Sequence, residues 1–368
     1  MHDRDKFINL NEFLEGDRTF VIAEIGKNFI QSKEEKGLDE YISNAKNLID
    51  AAADAGVDAV KFQTHEYSDE QAPIQVISPH FSGSDRYSWV KRNTDITPDR
   101  FWVEVKDYSK QKGLVFFSTP MSRKAAVKLD SIGVPLWKIG SGDVMDYLLL
   151  DFVAETKKPV IISTGMVSYA ELEKAVSFLE NKGAPVSILY CVSKYPAPAS
   201  DFNLSSIQRL GEKFPQCTIG FSDHSVGDQE IPLAAVKVGA RIIEKHFSLS
   251  RDLWGSDHKV SLTPEEMKTL VQKIKDREYL GVDSSPFYGD IDKELEGEKN
   301  QFRPYFFKTL TASKEIKKGT VITKEMLFAM RPALHLKGIP SNNLYEVVGK
   351  KSARDINKME PITKDIIE

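Results

Sequence analysis

Eight short apolar runs recur along the chain, and most of them are continuous rather than alternating. They are TFVIAEIG (19–26), VDAVKFQT (57–64), GLVFFSTP (113–120), PLWKIGSG (135–142), PVIISTGM (159–166), VSILYCVS (186–193), CTIGFSDH (217–224) and RIIEKHFS (241–248). Strands that are apolar on both sides must be covered on both sides, which is the condition of a parallel sheet flanked by helices. Helical segments lie between the runs. Leu38, Ile42, Ala45, Leu48, Ile49 and Ala52 share one helical face. Ser168 with Glu171 and Thr263 with Glu266 have capping-box spacing, Pro264 suits a first helical position, and Gly183 and Gly281 act as stops. Eight such β-then-α units within about 280 residues predict an α/β chain folded as a (β/α)₈ TIM barrel, with an open doubly wound sheet as the alternative.

Two stretches break this rhythm. Residues 65–98 are far longer than a usual βα connection and predict a lid, a subunit contact or an inserted element. After about residue 282 the texture changes to a charged linker, followed by a repeat: SKEIKKGTVITKEML (313–327) against ARDINKMEPITKDII (353–367). The expected organisation is a catalytic barrel over 1–282, a linker over 283–308 and a small, mainly β domain of pseudo-symmetric turns over 309–368. At 368 residues the chain is long enough for two cores.

Composition mainly excludes. With 50 Lys and Arg against 54 Asp and Glu, a net charge of −4 gives no overall field for nucleic acid or an anionic membrane, so any anion must be held locally. No apolar run is long enough to span a bilayer, and MHDRDKFINLNEF is too polar for a secretory signal, so a cytoplasmic protein is expected. Cys191 and Cys217 lie in apolar runs and are expected to be small, reduced core residues without a role.

Active sites of (β/α)₈ barrels are assembled where the strands end. Here those ends carry Glu24; Lys61 and Gln63; Lys138, Ser141 and Asp143; Ser163 and Thr164; Ser193 and Tyr195; Ser222, Asp223 and His224; and Glu244, Lys245 and His246. Singly, each is an ordinary cap or solvated side chain. Collectively they predict a site. Lys61 and Lys138 among hydroxyls suit a phosphorylated anion. His224 and His246, on adjacent strand ends, suit a divalent ion with open positions. His258 is expected either in the site or on the surface; His2, His65, His80 and His335 are weaker candidates.

Read together, IAEIG, AVKFQT, FFSTP, WKIGSGD, IISTGM, CVSKYPAP, GFSDHS and IEKHFSL resemble, in order, the sialic acid synthase family, which includes the N-acetylneuraminate, legionaminate and pseudaminate synthases. KEIKKGTVITKEMLFAMRP (314–332) and VVGKKSARDI (347–356) resemble its antifreeze-like SAF domain. The resemblance implies condensation of phosphoenolpyruvate with an open-chain N-acyl hexosamine, giving a nine-carbon 2-keto acid and phosphate. It implies that Lys61, Lys138, Ser141, Ser163 and Ser222 hold phosphoenolpyruvate. His224 and His246 would be catalytic metal ligands, for manganese first, with magnesium and cobalt as alternatives. Glu24 would direct water, and Gln63, Asp143, Tyr195 and Asp257 would contact the sugar. Arg331 would reach the sugar in a partner's site, making the protein a homodimer with exchanged domains.

Four places depart from the family pattern: Phe29 and Ile30 after the first strand, Asp143 in place of a glutamate, Ser193, and LWGSDH (253–258). These are expected around the sugar, so a changed acceptor follows from them. Competing expectations are a phosphosugar-type phosphoenolpyruvate condensing synthase, a Schiff-base lyase using Lys138 or Lys245, and a non-catalytic sugar-binding relative.

Overall fold

The computed structural model describes residues 18–79, 81–227 and 229–368; His2, the polar opening stretch and His80 lie outside these. All eight apolar runs form strands: β1 (Phe20–Gly26), β2 (Ala59–Thr64), β3 (Val115–Pro120), β4 (Trp137–Ile139), β5 (Val160–Ser163), β6 (Val186–Cys191), β7 (Thr218–Asp223) and β8 (Ile242–His246). The sheet order is β3-β2-β1-β8-β7-β6-β5-β4, and the printed ladders are parallel. First and last strands pair, with Phe20 opposite Ile242 and Glu24 opposite His246. β3 and β4 pack side by side, so the sheet curls into a nearly closed (β/α)₈ barrel and the open-sheet alternative is discarded.

Strand alternation sorts every side chain to one of two cores. Val21, Ala23 and Ile25 face outward under the helices. Phe20 and Ile22 face inward, where they meet Ala59, Phe117, Leu136, Ile161, Leu189 and Ile242. This apolar plug fills the barrel below the strand ends. Gly220 lies in the same region: a Cβ there would come within 2.5 Å of the Ile242 carbonyl, so only glycine fits. Each strand is followed by a helix, and both predicted capping boxes are present, at Ser168–Glu171 and Thr263–Glu266.

The long connection after β2 holds two helices, Tyr67–Glu70 and Arg86–Asp95, joined by an irregular stretch. Gln71 forms a parallel bridge with Arg331, and the backbone of Ala72 donates to the Arg331 carbonyl at 2.8 Å. The connection is therefore an inserted clamp between barrel and tail.

The tail is built around β9 (Thr309–Ala312) and the antiparallel β10 (Leu327–Met330). The repeat is structural as well as sequential. Ile316 and Ile356 exchange reciprocal backbone hydrogen bonds at 2.9 and 2.8 Å, and each copy ends in a one-turn 3₁₀ helix, Lys324–Met326 and Lys364–Ile366. Among the described residues no helix is long and apolar enough to cross a membrane.

Candidate active site

Above the apolar plug, the same inward positions become polar. Successive inward residues continue Ile22 to Glu24, Ala59 to Lys61, Phe117 to Thr119, Leu136 to Lys138, Ile161 to Ser163 and Ile242 to Glu244. They form the floor of one cavity, which His224 and His246 also line. The residues given a substrate or metal role from the sequence all line it: Glu24, Lys61, Gln63, Lys138, Ser141, Asp143, Ser163, Tyr195, Ser222, His224, His246, Asp257 and Arg331; the strand-end residues Thr164, Ser193, Asp223 and Lys245 do not.

The floor is a buried ionic network. Lys61 Nζ lies 2.6 Å from Glu24 Oε2 and 3.6 Å from Glu244 Oε2, and it donates to Thr119 Oγ1 at 3.2 Å. Lys138 Nζ donates to Ser163 Oγ at 2.6 Å and lies 3.7 Å from Glu244 Oε1. Ser222 Oγ donates to Glu244 Oε1 at 2.9 Å, and Gln63 Nε2 to Glu24 Oε1 at 2.8 Å. The two carboxylates are tuned apart. Burial pushes Glu24 up to about 7, only partly opposed by Lys61. Burial also acts on Glu244, but Lys138 and Lys61 together hold it down at about 2. Burial lowers Lys138, whereas for Lys61 the two carboxylates reverse that effect and raise it.

Beside the floor the imidazoles of His224 and His246 stand 5.3 Å apart, centroid to centroid. His224 Nδ1 is 2.9 Å from the Val192 carbonyl, so it carries the proton and leaves Nε2 as a donor atom for a metal. His246 Nδ1 is buried without a protein partner, and burial lowers its pKa to about 3, keeping the ring neutral. Two facing imidazoles, that of His246 kept neutral by burial and that of His224 raised in pKa, against burial, by the neighbouring Cys191 and the Val192 carbonyl, fit a divalent ion that takes its remaining ligands from water or substrate. Among the described residues no larger His, Cys, Asp or Glu cluster has metal-binding geometry.

The roof comes from the clamp and the tail. Arg331, 1% exposed, donates from Nη2 to Asp143 Oδ1 at 2.5 Å and to the Met121 carbonyl at 3.2 Å. Lys308 pairs with Asp143 at 2.8 Å and Asp146 at 2.7 Å. Phe306 lies under the guanidinium groups of Arg86, 4.3 Å from its ring centroid, and Arg331, 5.7 Å away. Within this single chain, clamp and linker dock the tail against the barrel, so Arg331 lines the cavity beside Asp143.

Some expectations change. Phe29 and Ile30 do not face the sugar region; both are buried in the outer core, with the Phe29 ring against Phe101 (4.7 Å), Tyr41 and Phe62. His258 is neither a site nor a surface residue. It is fully buried, bonded through Nδ1 to Ser248 Oγ at 2.7 Å and through Nε2 to the Ile30 carbonyl at 3.0 Å, and it braces the LWGSDH loop. Lys245 points outward and is sealed against Asp223 at 2.6 Å, which removes it as a Schiff-base amine. Both cysteines are buried and unbridged, yet Cys191 lines the cavity, 3.8 Å from His224 Nδ1. Sequence reasoning also missed Lys27, Arg86, Thr119 and Phe306 in the cavity wall, and it ranked His65, which lies there too, among the weaker candidates. Only Thr119, at an inward strand-end position, had a signal that could have found it.

Comparison with known proteins agrees with this architecture. Residues 48–283 match the NeuB family and residues 307–368 match the SAF domain. The chain is 32% identical to the N,N'-diacetyllegionaminic acid synthase of Campylobacter jejuni over 94% of this chain and 99% of that protein. It is 29% identical to the pseudaminic acid synthase of Helicobacter pylori over 95% of this chain and 97% of that protein. The crystal structure of the spore coat polysaccharide biosynthesis protein spsE from Bacillus subtilis superposes with a TM-score of 0.78 at 31% identity, covering 95% of both chains. By sequence, barrel and appended domain alike, this chain belongs to the NeuB family.

Proposed function

We propose that the protein is a nonulosonic acid synthase: a carbon–carbon bond-forming transferase that joins phosphoenolpyruvate to an open-chain N-acyl hexosamine, N-acetylmannosamine or a related amino sugar. The products are a nine-carbon 2-keto acid and phosphate. The observation that carries this proposal is the juxtaposition, in one cavity, of two buried lysines with hydroxyl partners and two facing histidines.

In this reading Lys61, Lys138, Ser141, Ser163 and Ser222 bind the phosphate and carboxylate of phosphoenolpyruvate, exchanging contacts with Glu24 and Glu244 for contacts with the substrate. Gln63, Asp143, Tyr195, Asp257 and Arg331 surround the sugar. A divalent ion, manganese in our proposal, would be held by His224 and His246 and supplies Lewis acidity toward the sugar carbonyl when bound. C3 of phosphoenolpyruvate bonds to the aldehyde carbon, whose oxygen takes up a proton. Water adds at C2, and the C2–O bond to phosphate breaks, leaving the 2-keto acid. Glu24, with a pKa near neutrality, is suited to accept the proton released by that water. The homodimer with exchanged domains, Arg331 of each chain reaching the partner's site, remains part of the proposal.

The test is phosphate release from phosphoenolpyruvate with Mn²⁺ and a panel of N-acyl hexosamines, with and without EDTA. Release that requires an acceptor, stops with EDTA and returns with Mn²⁺ is expected. No release with any acceptor contradicts the proposed reaction. Inactivation by borohydride in the presence of substrate, with indifference to EDTA, would favour a Lys138 Schiff base instead.

A further inference from the structure

The inward stripe of β2 does not stop at the end of the strand. Ala59 lies in the apolar plug, Lys61 in the floor and Gln63 above it, and the same alternation continues one step further to His65, the first residue of the long connection. His65 lines the cavity, yet the reaction above gives it no role. Its side chain is buried, and Nδ1 lies 2.9 and 2.8 Å from the two oxygens of Glu70, in the first helix of the clamp. Nε2 is buried without a hydrogen-bond partner among the described residues. One ring nitrogen is therefore committed to the clamp, and the bare one is left to the cavity.

The tautomer follows from the partners. Burial would raise Glu70, but His65, Arg331 and Lys308 hold it down at about 2, so it is a carboxylate that can only accept. Burial lowers His65, with Glu70 only partly opposing, and Lys27 and Arg86 disfavour a second proton on the ring. The neutral imidazole donates from Nδ1 to Glu70 and presents Nε2 as an acceptor. Keeping that lone pair dry costs stability, which a hydrogen-bond donor arriving with a ligand restores. Beside it the polarity is reversed. Arg331 carries only donors, and its Nε stands 3.9 Å from Glu70 Oε1, the oxygen that His65 also uses. This arrangement needs only a guanidinium at that place, from the chain's own tail or from a partner's.

We propose that His65 Nε2 accepts the N–H of the sugar's N-acyl group, which makes His65 a specificity determinant for amide-bearing acceptors and Glu70 the residue that positions its ring. The proposal rests on the synthase reading above and adds a residue to that same site. A secondary amide carries one donor, N–H, and one acceptor, C=O, on adjacent atoms, and unlike a hydroxyl it cannot exchange the two roles. An acceptor-only nitrogen beside a donor-only guanidinium matches that pattern. A buried site built around such a donor rejects an analogue lacking it, because the bare nitrogen is then desolvated without a partner. Sequence reading ranked His65 low because it lies in the long connection, and the carboxylate that orients it comes from the clamp.

The experiment measures kcat/KM, at saturating phosphoenolpyruvate and Mn²⁺, for the N-acyl hexosamine of the panel that is turned over fastest and for its ketone isostere, in which CH₂ replaces the amide N–H and the carbonyl is kept. The wild type is expected to prefer the amide by about 50-fold. His65→Phe should reduce that ratio to about 3-fold or less while KM for phosphoenolpyruvate stays within about 2-fold. His65→Gln, which keeps an acceptor oxygen, should retain a preference of about 10-fold or more. Glu70→Gln can donate as well as accept and no longer fixes the tautomer, so it should give an intermediate ratio; it carries the test should His65→Phe not fold. A wild type that uses both sugars equally, or variants that slow both alike and leave the ratio unchanged, overturns the proposal and leaves the synthase reading intact. The unchanged ratio is what a purely structural His65 would give. If no acceptor of the panel releases phosphate, the synthase reading fails. Calorimetric binding of N-acetylmannosamine and its isostere then decides the subsite: tighter binding of the amide, lost in His65→Phe, supports it, and equal affinities overturn it.

Discussion

The floor and the roof of the cavity are built on opposite principles. The floor is the continuation of eight strands whose register fixes which side chains point inward, so Glu24, Lys61, Lys138, Ser222 and Glu244 occupy positions that the barrel itself dictates. The roof is assembled from three pieces distant in sequence: the clamp with Glu70 and Arg86, the linker with Phe306, and the tail with Lys308 and Arg331. The floor's lysines meet Glu24 and Glu244, whereas on the roof Arg331 and Lys308 converge on Asp143 and the Arg86 guanidinium lies on the Phe306 ring. In the proposed reaction the floor binds phosphoenolpyruvate and the roof surrounds the acceptor.

Substitutions can break this comparison. The largest effect is expected on the floor: His246→Ala should lower the rate of phosphate release by about 10³-fold or more. Circular dichroism should show an intact fold, since the variant removes a buried polar atom that has no protein partner. A smaller and differently placed effect is expected on the roof. Arg331→Ala should raise KM for the acceptor by about 100-fold and leave KM for phosphoenolpyruvate nearly unchanged; a rise in both would mean that roof and floor are not separable. With domains exchanged across the proposed homodimer, mixing Arg331→Ala subunits with His224→Ala subunits should restore part of the activity. No recovery after verified subunit exchange would mean that each tail serves its own barrel.

The smallest effect concerns the seam between clamp and barrel. Asp69 is buried there, accepting a hydrogen bond from the Lys124 backbone at 2.8 Å, and burial raises its pKa to about 6. A carboxyl whose folded pKa lies above its unfolded value stabilises the protein at low pH and loses that contribution as pH rises toward about 6. Asp69→Asn, which cannot ionise, should therefore be more stable than the wild type at about pH 8 by about 1–3 kcal/mol, and about equal to it near pH 4. Urea denaturation at the two pH values measures the difference, and a gap that is independent of pH would contradict the assignment.

The same contrast explains what could be read from the sequence. Barrel, tail repeat and floor residues follow from local rules: period-two alternation, capping boxes and polar residues at strand ends. Phe29 was misjudged because an aromatic residue just past a strand end can turn either way, and only its contacts with Phe101 and Phe62 show that it turns outward. Cys191 sits in an apolar run, so composition assigned it to the core although alternation aims it into the barrel. Arg86 could not be found. It lies within a long aperiodic insertion, and its place depends on docking against Phe306 from another part of the chain.

The central claim is that this floor directs water to C2 of phosphoenolpyruvate, so that carbon–oxygen rather than phosphorus–oxygen cleavage releases phosphate. The direct measurement is turnover of phosphoenolpyruvate labelled with ¹⁸O at the bridging oxygen, with the inorganic phosphate analysed by mass spectrometry. The account predicts that the label leaves with the phosphate. Unlabelled phosphate would contradict it.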